Sequence, residues 1–337
     1  MSDQITSIGD RVRQRTRTAI GATLVAAAAL VASACAPALP PPVDASDIAV
    51  IELASDNAYL TAALTKDGSV AVAPVRCQQA TCNPGAWTSL GGNLTSLQLE
   101  TLDESSKSVI VIGLAPSRST WFKRGTCGPS TCSWDGWTKL GGNLSTVRAD
   151  HLVGTRCVLL AGKTWLENVF EAKICSSKTE PWTYAHGRVS EIAVDGGAPG
   201  NGSRVDLFGA VRNFNYARVR GAGWNGLNAS LVDPVVAGAE WCGLSSSGRL
   251  WCSNTPYRNN FRLIGGTWAK LDGGTTIGLA ADGSVMDWNG SGIANYGGNM
   301  TQVAADQDLA VAITTDGIVQ FRRREAGAGP WQDLSAP

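Results

Sequence analysis

Internal repetition constrains the fold of this chain more than any other feature. The segment Cys77-x4-Cys82-x4-Trp87-Thr88-x-Leu90-Gly91-Gly92-Asn93-Leu94 recurs without a gap as Cys127-x4-Cys132-x4-Trp137-Thr138-x-Leu140-Gly141-Gly142-Asn143-Leu144, at a constant offset of 50 residues. A second unit recurs elsewhere: Leu64-Thr65-Lys66-Asp67-Gly68-Ser69-Val70, Leu244-Ser245-Ser246-Ser247-Gly248-Arg249-Leu250, Leu279-Ala280-Ala281-Asp282-Gly283-Ser284-Val285 and Ile313-Thr314-Thr315-Asp316-Gly317-Ile318-Val319. Each reads as a β-hairpin. The Asp-Gly or Ser-Gly supplies a residue able to take positive φ in the turn, and the flanking apolar residues alternate as strands do. Hairpins with weaker turn chemistry are expected at 109–123, 156–175 and 204–219. The seven centres, near residues 67, 115, 166, 212, 247, 282 and 316, lie roughly 34 to 51 residues apart, which suits a four-stranded propeller blade.

In several repeats a strand precedes the hairpin (48–53, 95–100, 189–194, 301–304), and a strand bearing Trp87, Trp137, Trp182, Trp224 or Trp331 follows it. The expected fold is therefore all-β, a β-propeller of seven four-stranded blades. The segment 255–300 is short and its strands are poorly marked, which leaves six or eight blades as alternatives. Composition agrees: there are 39 glycines and 12 tryptophans, and 17% of residues are charged, against roughly 25% in an average soluble protein. No stretch after residue 46 has sustained helical periodicity.

Ahead of the repeats, Arg11, Arg13, Arg15 and Arg17 form a positive region directly before the uncharged stretch Ala19 to Ala34, the order of a signal peptide. That stretch has 16 residues, short of the roughly 18 expected of a membrane span. It ends in Ala32-Ser33-Ala34-Cys35, which resembles a bacterial lipobox, although Ala32 stands where that pattern usually has Leu. The resemblance implies cleavage before Cys35 and a lipid on its thiol, with ordinary cleavage after an A-x-A site as the alternative. The expected organisation is a signal peptide over 1–34, a lipid-anchored Pro/Ala-rich spacer over 35–46 and a propeller domain over 47–337. Localisation follows: exported and membrane-anchored at a bacterial cell envelope, or else secreted or periplasmic. Without residues 1–34 the chain has 24 basic and 26 acidic residues. So balanced a charge makes nucleic acid a poor partner.

The nine cysteines support export, since an exported protein has reason to pair its thiols. Setting Cys35 aside leaves Cys77 with Cys82, Cys127 with Cys132, Cys157 with Cys175, and Cys242 with Cys252. Cys157 and Cys175 are equidistant from residue 166, and Cys242 and Cys252 from residue 247, so each pair should face across a hairpin, with Cα atoms about 4.5 Å apart. The two C-x4-C pairs should close short loops before a blade's last strand. Neither has the tighter C-x2-C spacing of zinc ribbons, so disulfides and no metal are expected.

The unit Trp241-Cys242-Gly243-Leu244-Ser245-Ser246-Ser247-Gly248-Arg249-Leu250-Trp251-Cys252 resembles the regulator-of-chromosome-condensation repeat found in exported bacterial proteins. Asp316-Gly317-Ile318-Val319-Gln320-Phe321-Arg322-Arg323, followed by Pro330-Trp331-Gln332-Asp333-Leu334, is similar to the tectonin repeat. The Trp-Thr-x-Leu-Gly-Gly-Asn segments at 87 and 137 resemble seven-bladed bacterial lectins with Trp-rich repeats. All three families are β-propellers, so these short motifs imply the fold, and fold alone does not give an activity.

A catalytic reading has little to draw on. His151 and His186 are the only histidines, and neither sits in a nucleophile-base motif. The string Ser133-Trp134-Asp135-Gly136-Trp137 has the wrong spacing for the sialidase box, and the glycine cluster 196–202 lacks the Lys of a phosphate loop. No catalytic residue and no cofactor is expected. Aromatic faces stack on sugars, and Trp121, Trp134 and Trp165 lie outside the recurring last-strand position, so they are the nominees for a ligand surface. The plainer role for most of the tryptophans is blade core. The expected function is a non-catalytic envelope lipoprotein that binds a carbohydrate or cell-wall ligand. A surface protein-binding or assembly scaffold is the alternative, and a propeller hydrolase a more distant one. A ring of Trp-lined pockets would favour the lectin, one large apolar patch the scaffold, and acids of perturbed pKa in the central channel an enzyme.

Overall fold

Each expected hairpin forms, and one turn geometry serves most of them. In the first, Thr65 N–H donates to Ser69 O and Gly68 N–H to Thr65 O, both at 2.9 Å, with Gly68 at φ +85°. Gly248, Gly283 and Gly317 hold the same left-handed position. The turns of weaker chemistry place Arg118 (φ +62°) and Glu167 (φ +66°) there, which costs a side-chain-bearing residue roughly 1 kcal/mol or more. Glycine at 68 also answers to space, because a Cβ there would lie 3.0 Å from the backbone of Leu94.

The computed structural model describes residues 45–334 apart from 54–56, 79–80, 104–106, 129–130, 197–205, 212–213, 220–223, 228, 238–239, 255–259, 273–274, 307 and 326–327. The leader, Cys35 and nearly all of the spacer lie outside the described residues. Among those described there is no helix. Seven antiparallel sheets follow one another in sequence, giving blades over residues 45–91, 96–141, 146–188, 191–227, 232–265, 270–297 and 300–333. The protein is a seven-bladed β-propeller, and the short segment after residue 255 supplies the last strand of blade 5 and all of blade 6. In blades 1 and 2 the long third strand pairs with two short segments in succession, Thr81–Pro84 then Thr88–Gly91 on Val70–Gln78, and Cys132–Trp134 then Thr138–Gly141 on Thr120–Cys127.

All four disulfides form, each between residues directly opposed on neighbouring strands, with Cα atoms 3.9 to 4.1 Å apart. The C-x4-C pairs are thus cross-strand links like the other two, made inside an extra hairpin that leaves the third strand.

Core residues fall into seven clusters, each drawn from two neighbouring blades, so burial occurs between blades. The recurring tryptophan bridges these seams. Trp137 Nε1 donates to Leu90 O of blade 1 at 3.0 Å, Trp224 to Ala185 O of blade 3 at 3.1 Å, and Trp331 to Tyr296 O of blade 6 at 3.2 Å. Trp87 closes the ring by donating to Leu334 O of blade 7 at 2.8 Å. The backbone closes it too: Leu94 N–H donates to Gly68 O, Leu144 to Arg118 O and Val189 to Glu167 O, and Ala45 N–H makes the corresponding bond to Gly317 O. Among the described residues no strand is exchanged between the first and last blades.

Candidate functional site

Blade 2 presents one unusual face to blade 1. Its third strand, Thr120–Cys127, places Trp121 and Lys123 on the same side by alternation, and Trp121 lies opposite Lys139 of the fourth strand. Trp137, two residues before Lys139, completes a square of two tryptophans and two lysines. Lys123 Nζ sits 5.6 Å from the Trp137 ring centre and donates to Leu90 O at 3.2 Å, while Lys139 Nζ lies 6.0 Å from the centre of Trp121. Above this square an open groove of about 500 Å³ is lined by Gly92, Asn93 and Leu94 from the inter-blade connection, Pro116 and Ser117 from the blade 2 turn, and the two indoles. Its walls are mostly apolar, with the Asn93 and Ser117 side chains as polar points. That is the composition of a small-ligand site, and it has no acidic side chain in its lining.

The three nominated tryptophans do not converge. Trp121 lines the groove; its partner there is Trp137, which the sequence marks only as core. Trp165 stands 62% exposed in the blade 3 turn, beside Leu166. Trp134 lies towards the other end of its blade, where its ring covers Gly125, leaving no room for a Cβ there. Blade 3 carries its own aromatic row, with Phe170 5.4 Å from Tyr184 and Tyr184 4.8 Å from His186, ring centre to ring centre. His186 takes a left-handed conformation at a register irregularity in the strand Thr179–Arg188, and His151 Nδ1 is 2.8 Å from Thr101 O. Each histidine therefore has a local structural setting. Of the glycine cluster 196–202 only Gly196 is described.

The central channel is polar and holds acids whose proton affinity is raised. At one end Arg148 and Lys270 share a pocket of about 130 Å³ with Asp47, Gln98, Glu100 and Gln302. Several channel carboxylates accept a backbone N–H from the next blade: Asp47 from Leu97 at 2.9 Å, Asp150 from Gly196 at 2.6 Å, Glu191 from Asp233 at 2.5 Å, and Asp306 from Glu52. They fasten the inner strands as the tryptophans fasten the outer ones. Burial lifts the Asp150 carboxyl to about 7, and burial with repulsion from Asp150 and Asp306 holds Glu100 well above the ordinary carboxylate range. Shifted acids in the channel were the expected mark of an enzyme; for Asp150 the seam bond to Gly196 supplies a structural role. Among the described residues the one cluster of metal-ligand types is Glu240 with Cys242 and Cys252, whose sulfurs are bonded to each other.

No family model and no curated protein matches the sequence. Among solved structures the protein is similar to the BP39L lectin from Burkholderia pseudomallei, with a TM-score of 0.60 and 15% identity, over 88% of this chain and 100% of that one. It is also similar to the β-propeller domain of the Trilobed protease from Pyrococcus furiosus (TM-score 0.51, 10% identity, 87% of this chain and 97% of that one). A third likeness is to BBS1N in complex with ARL6DN (TM-score 0.52, 12% identity, 86% and 95%). At these identities the likenesses establish the β-propeller fold.

Proposed function

We propose that the protein is a non-catalytic, lectin-like module of the cell envelope that binds a carbohydrate or cell-wall glycan in the groove between blades 1 and 2. The observation that carries this reading is the pair of indoles, Trp121 and Trp137, in one open apolar groove with Asn93 and Ser117 beside them. Flat rings bind the apolar face of a pyranose, and the amide and hydroxyl orient its ring substituents. The likeness to a propeller lectin is compatible with this use of the fold. Glycan-array screening of the exported chain, followed by titration of the best ligand, tests it. Trp121→Ala should abolish binding while the chain stays folded; full affinity in that variant would sink the reading.

The same proposal includes export through residues 1–34 and a lipid on Cys35. Its support is the Arg-rich leader, the Ala-Ser-Ala-Cys end of the apolar stretch, and four disulfides that use every cysteine except Cys35. Intact mass of the membrane-extracted chain should show a start at Cys35 with added acyl mass, and an unlipidated start elsewhere would remove the anchor. A second reading, a protein-binding scaffold, is favoured by Trp165, Leu166 and Tyr184, large apolar side chains of blade 3 that are each more than 40% exposed.

A further inference from the structure

We infer that the groove between blades 1 and 2 selects acidic glycans, those bearing a carboxylate or an ester phosphate or sulfate, through the ammonium groups of Lys139 and Lys123. The inference rests on the glycan-binding reading of the groove and names the class of sugar it takes. Two lysines stand against the two indoles, Lys123 5.6 Å from the centre of Trp137 and Lys139 6.0 Å from the centre of Trp121. Neither is paired with a carboxylate among the described residues, and no Asp or Glu lines the groove. A cation beside an apolar wall with no counter-ion is a site short of one negative charge.

The two lysines have different duties. Lys123 is half-buried and pinned by its bond to Leu90 O, so its charge is held beside the Trp137 ring. Lys139 is exposed, and 6 Å is the outer limit of a cation–π contact, so its ammonium flanks the Trp121 ring more than it covers it. A pyranose stacked on Trp121 would carry a ring carboxylate or ester out past the indole edge, towards that ammonium. Blade 1 isolates the feature. By strand register, at the same offset of 50 residues, Trp121, Lys123 and Lys139 correspond to Ala71, Ala73 and Ser89, while Trp137 corresponds to Trp87. The scaffold tryptophan is kept, and the second indole and the two lysines set against the rings are not, so the lysines are no requirement of the blade.

The test is a titration of two versions of one oligosaccharide, ending in glucuronate or in glucose, against the natural chain and against Lys139→Met, which keeps an apolar stem without the charge. The acidic version should bind at least tenfold more tightly, and raising salt from about 0.05 to about 0.5 M should erase most of the difference. Lys139→Met should bring the acidic ligand down to the neutral one's affinity without weakening the neutral one, and Lys139→Arg should restore the preference. Equal affinity for both versions overturns the acidic selectivity and leaves the glycan-binding reading standing. No binding of either, with no acidic or neutral ligand found on the array, overturns both.

Discussion

Blades 1 and 2 are built on the same repeat and do different things with it. In both, a tryptophan before the last strand reaches across the seam to a carbonyl of the preceding blade, Trp87 to Leu334 O and Trp137 to Leu90 O. Around Trp87 the neighbouring positions are Ala71 and Ala73, and the indole is 2% exposed, sealed into the seam that closes the ring. Around Trp137 the same positions carry Trp121 and Lys123, the packing opens, and the indole becomes part of a groove wall. One side chain thus serves as a fastener in one seam and as a fastener and a surface in the next. What differs between the two seams is the residue on the neighbouring third strand, Ala71 in one and Trp121 in the other, not the tryptophan itself.

The largest expected effect that would break the comparison is Trp87→Ala. Loss of a buried indole should cost about 3–5 kcal/mol, seen as a much lower Tm, and a small loss would mean that the closing seam is not held by this residue. Next in size is a control in the channel, remote from both tryptophans. Asp150 titrates at about 7 in the folded chain against an ordinary 3.8, so its ionisation opposes folding. Stability from this group is fully present below about pH 4, falls as pH rises towards 7, and is lost above it. Asp150→Asn keeps an acceptor for Gly196 N–H and should raise stability by on the order of 2 kcal/mol at pH 8 and hardly at all at pH 4; equal shifts at both would contradict the burial argument. Trp87→Phe, which removes the N–H and strands Leu334 O, should cost about 1.5 kcal/mol by chemical denaturation. Trp121→Ala should cost least, about 0.5–1 kcal/mol, because its ring is half-open; a loss as large as that of Trp87→Ala would erase the distinction between the two seams.

How much was legible followed from what each position must do. The seven hairpins could be read because their turns need a left-handed residue and their strands alternate, both of which leave marks in a single sequence. The last strands of blades 5 and 6 could not, because Phe261 and Ile293 stand where the other blades have tryptophan. Their seams are filled instead by Phe208 packed edge-on to Trp241 at 5.4 Å, and by Trp268 and Trp288, the last bonded to Glu240 at 3.1 Å. What survives in both is a glycine pair at positive φ, Gly265–Gly266 and Gly297–Gly298, matching Gly91–Gly92. That pair, followed along the chain, marks the strands that the tryptophan pattern misses. Of the groove, Trp121 was legible as a tryptophan out of step with the repeat, whereas Trp137 was hidden by being in step. Alternation along the third and fourth strands, which puts Lys123 and Lys139 on the same face as the indoles, was the available signal.

The unequal pairing of its first and last described strands makes the ring mechanically asymmetric. The first strand, Ala45–Leu53, holds eight register pairs with its neighbour, and a pull along it from Ala45 loads those bonds together in shear. The last strand, Gln332–Asp333, holds two, and Leu334 just beyond it carries the carbonyl that latches Trp87. Tension applied at that side would release the latch first and then peel the strand a bond at a time. Load applied from the amino-terminal side of the ring is therefore borne by eight register pairs, and load applied from the other side by two.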